Sequence, residues 1–276
     1  MSKKINMAIV GHGYVGKAVD HGFVGDDVVK YIIDPIYNVG MESIEDVDID
    51  VAFVCVPTPF GANGEINSSI VESVVAQLES KNCLIVIKST VTPDIVGRLA
   101  NNPNVVYNPE FLTERNALDD FIKPPMHIFG GAKDSTYKLE KIYQDFSRCG
   151  SCKVFHMSAM EASFAKYGIN SFLATKVLWM NQFKDIVDNS GCDYSTIISA
   201  IGTDRRIGFS HAQVPGPDGR KGYGGACFPK DTNAFATFAK GGFTVLNEVI
   251  SKNNEYRAQY ELDDREKEQN VVYNKQ

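Results

Sequence analysis

The stretch Gly224-Gly225-Ala226-Cys227-Phe228-Pro229-Lys230-Asp231 carries a thiol, an amine and a carboxylate close together. Its two glycines free the backbone for a tight turn. Pro229 suits the first residue of a helix, where its missing N–H costs nothing. Cys227 is then expected just before a helix N-terminus and beside Lys230, and both features favour thiolate over thiol. Asp231, four residues on, is expected on the same helical face. A thiolate so placed does covalent chemistry: it needs an electrophilic carbon to attack and neighbours that move protons.

Other residues of suitable type fall at the ends of strand-like segments. Thr90, Glu110 and Glu114 lie at or just after such ends. Lys166 and Asn170 are four apart in a helical segment, hence on one face. Each also has an ordinary reading. A Lys/Asn pair can be a solvated face, Glu110 a helix cap, and Asp231 a carboxylate that favours its helix N-terminus. What sets them apart is the company of a nucleotide-binding motif and a poised cysteine.

The elements that must position them begin with Ile5–Val10, a short apolar run that reads as a buried strand. It ends in Gly11-His12-Gly13-Tyr14-Val15-Gly16, and residues 14–22 read as a helix. A second strand, Val28–Ile33, ends in Asp34, 18 residues past Gly16. Strand, glycine-rich turn, helix, strand and acid together form a dinucleotide-binding pattern. Gly11 allows the tight turn, Gly13 lets a pyrophosphate approach the backbone, and Gly16 lets helix pack on strand. An acid at 34 repels a 2′-phosphate, which favours NAD over NADP. The alternative is a glycine-rich turn in an unrelated α/β protein.

Strands then alternate with helices: 51–56, closed by Pro57-Thr58-Pro59; a helix over 68–80; Leu84–Ile87; a helix capped by Thr92-Pro93; 105–107; 126–129; a helix over 134–147; and 153–155. This rhythm predicts a Rossmann-type doubly wound α/β domain over residues 1–157. Residues 158–190 predict one long central helix, ended by Gly191. Such a helix spans roughly 50 Å and exceeds what a small domain buries. Its outer residues, including Trp179 and Met180, are expected at a homodimer contact, the alternative being packing on this chain's own C-terminal part. Residues 191–276 predict a short, mainly helical region: Asp193 capping 194–201, a Gly/Pro-rich loop over 210–224, and helices over 229–240 and 243–260. From Glu261 the charged run reads as a solvated helix end or a frayed tail.

Composition narrows the function classes. The chain has 276 residues, 43% hydrophobic and 22% charged, with a net charge of −6. A nucleic-acid surface is not suggested, and no apolar run reaches the ~18 residues of a membrane span. The six cysteines are scattered and no secretory signal is evident, which fits a reducing cytoplasm. Cys149 and Cys152 have CxxC spacing without a second pair or histidine ligands nearby, so no metal is expected and they read as small apolar residues near a strand start.

The sequence resembles the UDP-glucose/GDP-mannose dehydrogenase family. The segments that carry the resemblance are Gly11–Gly16, Val56-Pro-Thr-Pro59, Lys88-Ser-Thr-Val91, Asn108-Pro-Glu-Phe-Leu-Thr-Glu114, Glu161 through Lys166 to Asn170, Asp204-Arg-Arg-Ile-Gly208 and Gly224–Asp231. The resemblance implies NAD-dependent, four-electron oxidation of a sugar CH₂OH to a carboxylate, with a nucleotide sugar as substrate and UDP-glucose the leading choice. It implies Cys227 as nucleophile, Lys166 and Asn170 as oxyanion stabilisers, Asp231 and a water on Thr90 as a proton relay, Glu110 near that water, and Glu114 in thioester hydrolysis. It places the cofactor against Gly11, Gly13, Tyr14, Val15, Gly16, Asp34, Val56, Pro57, Thr58, Thr90, Glu114 and Lys230. It places the substrate against Phe111, Leu112, Lys166, Asn170, Arg206, Tyr223 and Gly224. Arg206 would reach it across the dimer, and Lys230 is a further contact. Two departures stand out. Gly222-Tyr223-Gly224 replaces the common Gly-Phe-Gly, and most of the family's C-terminal nucleotide-binding domain is missing. The expectation is a compact dehydrogenase. Alternatives are an inactive NAD-binding remnant, one needing a partner chain that supplies the missing domain, and a two-electron 6-phosphogluconate-type dehydrogenase, which needs no thiol.

Overall fold

A computed structural model describes residues 4–273; the side chains of Ala62 and Glu114 lie outside the description. Two compact units are present: Met1–Thr58 with Asn67–Lys166, and Pro59–Ile66 with Tyr167–Gln276.

The first unit is built on a seven-stranded sheet: β1 (Ile5–Val10), β2 (Val28–Ile33), β3 (Val51–Val54), β4 (Leu84–Ile87), β5 (Val105–Tyr107), β6 (Met126–Gly131) and β7 (Lys153–Met157). The strand order is β2-β1-β3-β4-β5-β6-β7. Strands β3 and β4 are buried along their whole length, which is why they read as unbroken apolar runs rather than alternating ones. Helices α1 (Tyr14–Gly22), α2 (Ser69–Leu78), α3 (Pro93–Leu99), α4 (Ala117–Ile122) and α5 (Lys133–Phe146) connect them. The core packs Phe23, Phe53, Phe121, Phe129 and Tyr143 among aliphatic strand residues. β3 stops at Val54, two residues earlier than the apolar run suggests; Pro57, having no N–H, cannot extend a ladder. β6 pairs antiparallel with β5, the other neighbours in the sheet being parallel. An antiparallel neighbour needs no long crossover, and the connecting helix α4 has only six residues.

The order reverses between β1 and β3. Both the Gly11 turn and the Cys55–Thr58 segment leave the sheet at this switch point, where open α/β sheets take their ligands.

Helix α6 (Ala159–Asn189) has 31 residues and is continuous. Its first residues, to Lys166, belong to the first unit and the rest to the second. In the second unit follow α7 (Tyr194–Ile201), α8 (Phe228–Phe238), α9 (Thr244–Arg257) and α10 (Asp264–Glu268). Asp193 caps α7 as expected, accepting from the backbone N–H of Ser195 and Thr196. Two expectations are corrected here. Met180, anticipated at a subunit contact, is buried with Val187, Tyr194, Ala212 and Val214 of its own unit, whereas Trp179 is 53% exposed. The charged run after Glu261 is neither solvated throughout nor frayed: α10 opens with a capping box between Asp263 and Glu266, and Glu266 is fully buried.

Candidate active site

In the first unit the nucleotide-binding pattern is assembled by backbone constraints. Gly11 has φ +87°, and a Cβ there would stand 2.7 Å from the Cys55 carbonyl oxygen; only glycine fits. A Cβ at Gly16 would stand 2.0 Å from the Gly11 carbonyl oxygen. Gly13 differs: it begins α1, and a Cβ there meets nothing within 4 Å. The fold therefore does not require glycine at 13, and its bare backbone leaves room over the α1 N-terminus for a phosphate. Asp34 ends β2. Its carboxylate accepts from the backbone N–H of His12 (2.5 Å) and Ile36 (2.9 Å), tying the glycine turn to the tip of β2. Tyr14 and Val15 start α1 half-buried; Val56 and Thr58 are buried and Pro57 is exposed. An exposed helix N-terminus, an open Gly13 and a carboxylate at the neighbouring strand tip fit the adenosine diphosphate portion of NAD.

The same unit buries Thr90 after β4 and Glu110 after β5. Lys166 donates to the Glu110 backbone carbonyl (2.5 Å) and to its carboxylate Oε1 (3.0 Å), while the other oxygen, Oε2, accepts from Leu112 N–H (2.7 Å). Both side chains of the pair are at most 5% exposed. The Lys166 ammonium also lies 5.4 Å from the Phe111 ring centre. Lys166 is thus no solvated helix residue and Glu110 no helix cap. Leu112 packs against the sheet core. Glu114 opens a single 3₁₀ turn, and its side chain is outside the described residues.

In the second unit Cys227 is the N-cap of α8 and half-buried, with Pro229 at the second helical position. Its carbonyl accepts from Asp231 N–H (2.8 Å), which fixes the first turn. Asp231 is 1% exposed. It accepts from Asn170 Nδ2 (2.6 Å) on one oxygen and from Lys230 Nζ (2.5 Å) on the other. Asn170, Asp231 and Lys230 therefore form one buried polar cluster at the start of the cysteine helix. Tyr223 is buried, its hydroxyl 3.4 Å from Thr232 Oγ1, and burial pushes its pKa up. Arg257 and Glu266 pack against the next residue, Gly224. Arg206 is apart from these groups; its exposed guanidinium pairs with Asp204 in its own turn. A cleft of about 1030 Å³ elsewhere in this unit is lined by Asn63, Asn233, Asn247 and Asn254 among neutral residues, and no acid–base group lines it among the described residues.

Residues 38–147 match the NAD binding domain of the UDP-glucose/GDP-mannose dehydrogenase family, and residues 160–255 match that family's central domain. A UDP-glucose 6-dehydrogenase of Rickettsia prowazekii is 31% identical over 90% of this chain and 67% of its own length. The chain belongs to the UDP-glucose/GDP-mannose dehydrogenase family. A Rickettsia bellii UDP-glucose 6-dehydrogenase is 36% identical over 75% of this chain and 49% of its own. The structure of a UDP-glucose dehydrogenase from Pyrobaculum islandicum superimposes with a TM-score of 0.78 at 28% identity, covering 92% of this chain and 69% of that one. The chain spans about half to two thirds of the length of these relatives.

This family member contains buried polar groups that sequence reasoning did not single out. Lys88, just past β4, is 4% exposed, and its ammonium donates to Asn108 Oδ1 (3.0 Å), which also accepts from Tyr143 Oη (2.8 Å). Burial lowers its pKa from 10.5 to about 8. Burial likewise pushes the Cys55 thiol up to about 12 and His127 down to about 4. A lysine closing an apolar strand reads as a solvent-facing end, and nothing in the linear pattern marks it as interior. Asn253, Arg257 and Glu266 were missed for the same reason: they sit in polar helical sequence yet are buried.

Proposed function

We propose that this chain oxidises the primary alcohol of a nucleotide sugar to a carboxylate in two two-electron steps, with UDP-glucose the first substrate to test. The observation that carries the reading is the buried Asn170–Asp231–Lys230 cluster on the first turn of the helix that Cys227 caps. A structural cysteine has no use for a buried carboxylate, amide and amine at its helix start; a nucleophile that must be charged and protonated in turn does.

NAD, bound at the glycine turn, supplies the hydride acceptor for each step. The chain's own groups do the rest. As the alcohol loses hydride, its hydroxyl proton must leave, and Asp231 is the acceptor of suitable type. The Cys227 thiolate adds to the aldehyde carbon, forming a C–S bond and an oxyanion that takes up a proton as the thiohemiacetal. Lys166 and Asn170, one helical turn apart, supply N–H donors of the kind that stabilise such an oxyanion. Loss of a second hydride and a proton leaves a thioester on Cys227. Water adds, the C–S bond breaks, and the carboxylate and thiolate separate. Covalent capture retains the aldehyde between the two oxidations. Glu110, by holding Lys166 through two acceptors, sets where that ammonium points.

We assign the outer face of α6 to a homodimer contact. Phe172, Trp179 and Ile186 are seven residues apart and are 69%, 53% and 64% exposed, a seam that suits a second helix.

The test is stoichiometric. Incubation with NAD and a panel of nucleotide sugars should yield two NADH per sugar consumed. One per sugar indicates a two-electron dehydrogenase, and none with any sugar refutes catalysis by this chain. Cys227→Ser should stop acid formation, and unchanged acid formation removes the thioester.

A further inference from the structure

The turn that delivers Cys227 is held by buried side chains from three helices of its own unit. Gly222 N–H donates to Asn181 Oδ1 of α6 (3.1 Å). Tyr223 is clamped through both backbone groups by Asn253 of α9: its N–H donates to Oδ1 (2.7 Å) and its carbonyl accepts from Nδ2 (3.0 Å). Nearest the thiol, Gly225 N–H donates to Glu266 Oε1 of α10 (3.3 Å).

Glu266 lies beyond residue 255, where the match to the central domain ends. It is fully buried, and a carboxylate there needs several donors to replace lost water. Oε1 also accepts from Arg257 Nη2 (2.6 Å) and Tyr273 Oη (2.7 Å), and Oε2 accepts from Asp263 N–H (2.9 Å). Arg257 is itself 1% exposed and pairs on its other side with Asp218 (2.7 Å). The side chains of Asn253, Arg257 and Glu266 also account for the glycines. A Cβ at 224 would stand 2.1 Å from Arg257 Nη2 and 2.5 Å from Glu266 Oε1, and one at 222 would stand 2.6 Å from Asn253 Oδ1. The Gly-Tyr-Gly backbone is bare because charged and amide groups pack directly onto it.

We propose that Glu266 is a positioning residue for Cys227, and that residues 258–273 form a latch whose carboxylate fixes the turn and thereby keeps the thiol at the head of α8. The proposal rests on the reading of Cys227 as the nucleophile. Gly225 has φ +79° and nothing lies within 4 Å of its Cβ position, so no neighbouring side chain packs there, and the Glu266 carboxylate holds its backbone N–H. With the bond lost, the thiol drifts from the helix N-terminus and its thiolate is less favoured.

The test uses the intact chain and needs neither cofactor nor substrate. Iodoacetamide labelling of Cys227 is followed by peptide mass spectrometry across pH. Glu266→Gln should slow labelling at neutral pH by roughly fivefold or more, the charge-assisted bonds being the strong ones, and should move the labelling profile to higher pH. Glu266→Asp keeps the charge facing Arg257 but withdraws the oxygen from Gly225, so it should show the same shift and serves where Gln does not fold. Asp218→Asn weakens Arg257 from the far side without touching the turn; it should leave Cys227 labelling within about twofold of the parent even as it lowers stability. Unchanged labelling in folded Glu266→Asp, or an equal slowing in Asp218→Asn, overturns the latch. An absence of NADH with every sugar refutes the catalytic reading instead, and the labelling result stands apart from it.

Discussion

Replacing Asp231 by Asn tests the cluster at the head of the cysteine helix most directly. The substitution preserves shape and removes one charge. In the parent each carboxylate oxygen receives a donor, Asn170 Nδ2 at 2.6 Å and Lys230 Nζ at 2.5 Å. An asparagine has one oxygen and one NH₂, so whichever way it turns it sets a donor against a donor. Lys230, with a side chain 7% exposed, also loses its carboxylate partner in a place where water cannot easily compensate. Removing one partner of such a buried pair costs about 3–5 kcal/mol. With a urea dependence of about 2 kcal/mol per molar, the unfolding midpoint should fall by about 1.5–2.5 M, read by circular dichroism. Adding Lys230→Met to Asp231→Asn should restore at least half of the loss, because the buried ammonium that lost this carboxylate is then removed as well. Turnover, in contrast, should not return, since the proposed proton acceptor is gone. A single variant within about 1 kcal/mol of the parent, below the range for a broken buried pair, would refute the assignment of Asp231 as the anion that organises the cluster.

Gly16→Ala forces a methyl to 2.0 Å from the Gly11 carbonyl, so the turn must open; NAD affinity by calorimetry should weaken at least about tenfold, or about 1.4 kcal/mol, while Gly13→Ala, with open space around it, should disturb the fold far less. Lys88 gives a pH signature. Its pKa is 10.5 when exposed and about 8 in the folded chain, so between these values the unfolded chain binds a proton that the folded chain has released, and stability rises with pH across that window. Below about pH 8 both states are protonated and the folded chain carries the full cost of the buried charge, about 3 kcal/mol. Lys88→Met should therefore raise the urea midpoint at pH 7 and flatten the difference between pH 8 and 10; an unchanged slope would show that the ammonium is not what burial penalises.

Much of the first unit was legible because its signals are local. The apolar runs of β1 and β4, the glycine turn, and Asp34 each specify backbone that is short-range in sequence and fall where expected, while β3 begins where expected and stops two residues short. Asp193 at the head of α7 is legible for the same reason. What escaped depends on partners distant in sequence. The direction of β6 is set by its pairing with β5 rather than by its composition. Met180 is buried because Tyr194 and Val214 come to meet it, while Trp179, one residue away, points elsewhere. Glu266 looked solvated because a run of charges does not reveal that Arg257 waits in the preceding helix. Among the site residues, the types Cys, Lys, Asn and Asp were readable from spacing; the pairing of Lys166 with Glu110 and of Asp231 with both Asn170 and Lys230 was not.

Trp179 is the chain's single tryptophan. It sits half exposed on α6 with its indole stacked on Phe183 at 4.9 Å. The molecule therefore carries one built-in fluorophore, placed on the face assigned to a second copy and free of competing indoles. Its emission will read the wetting of that one face: red-shifted and readily quenched by acrylamide while the helix stands alone, blue-shifted and shielded once another helix covers it. A dilution series of the unlabelled protein can thus report association directly, without any reference to turnover.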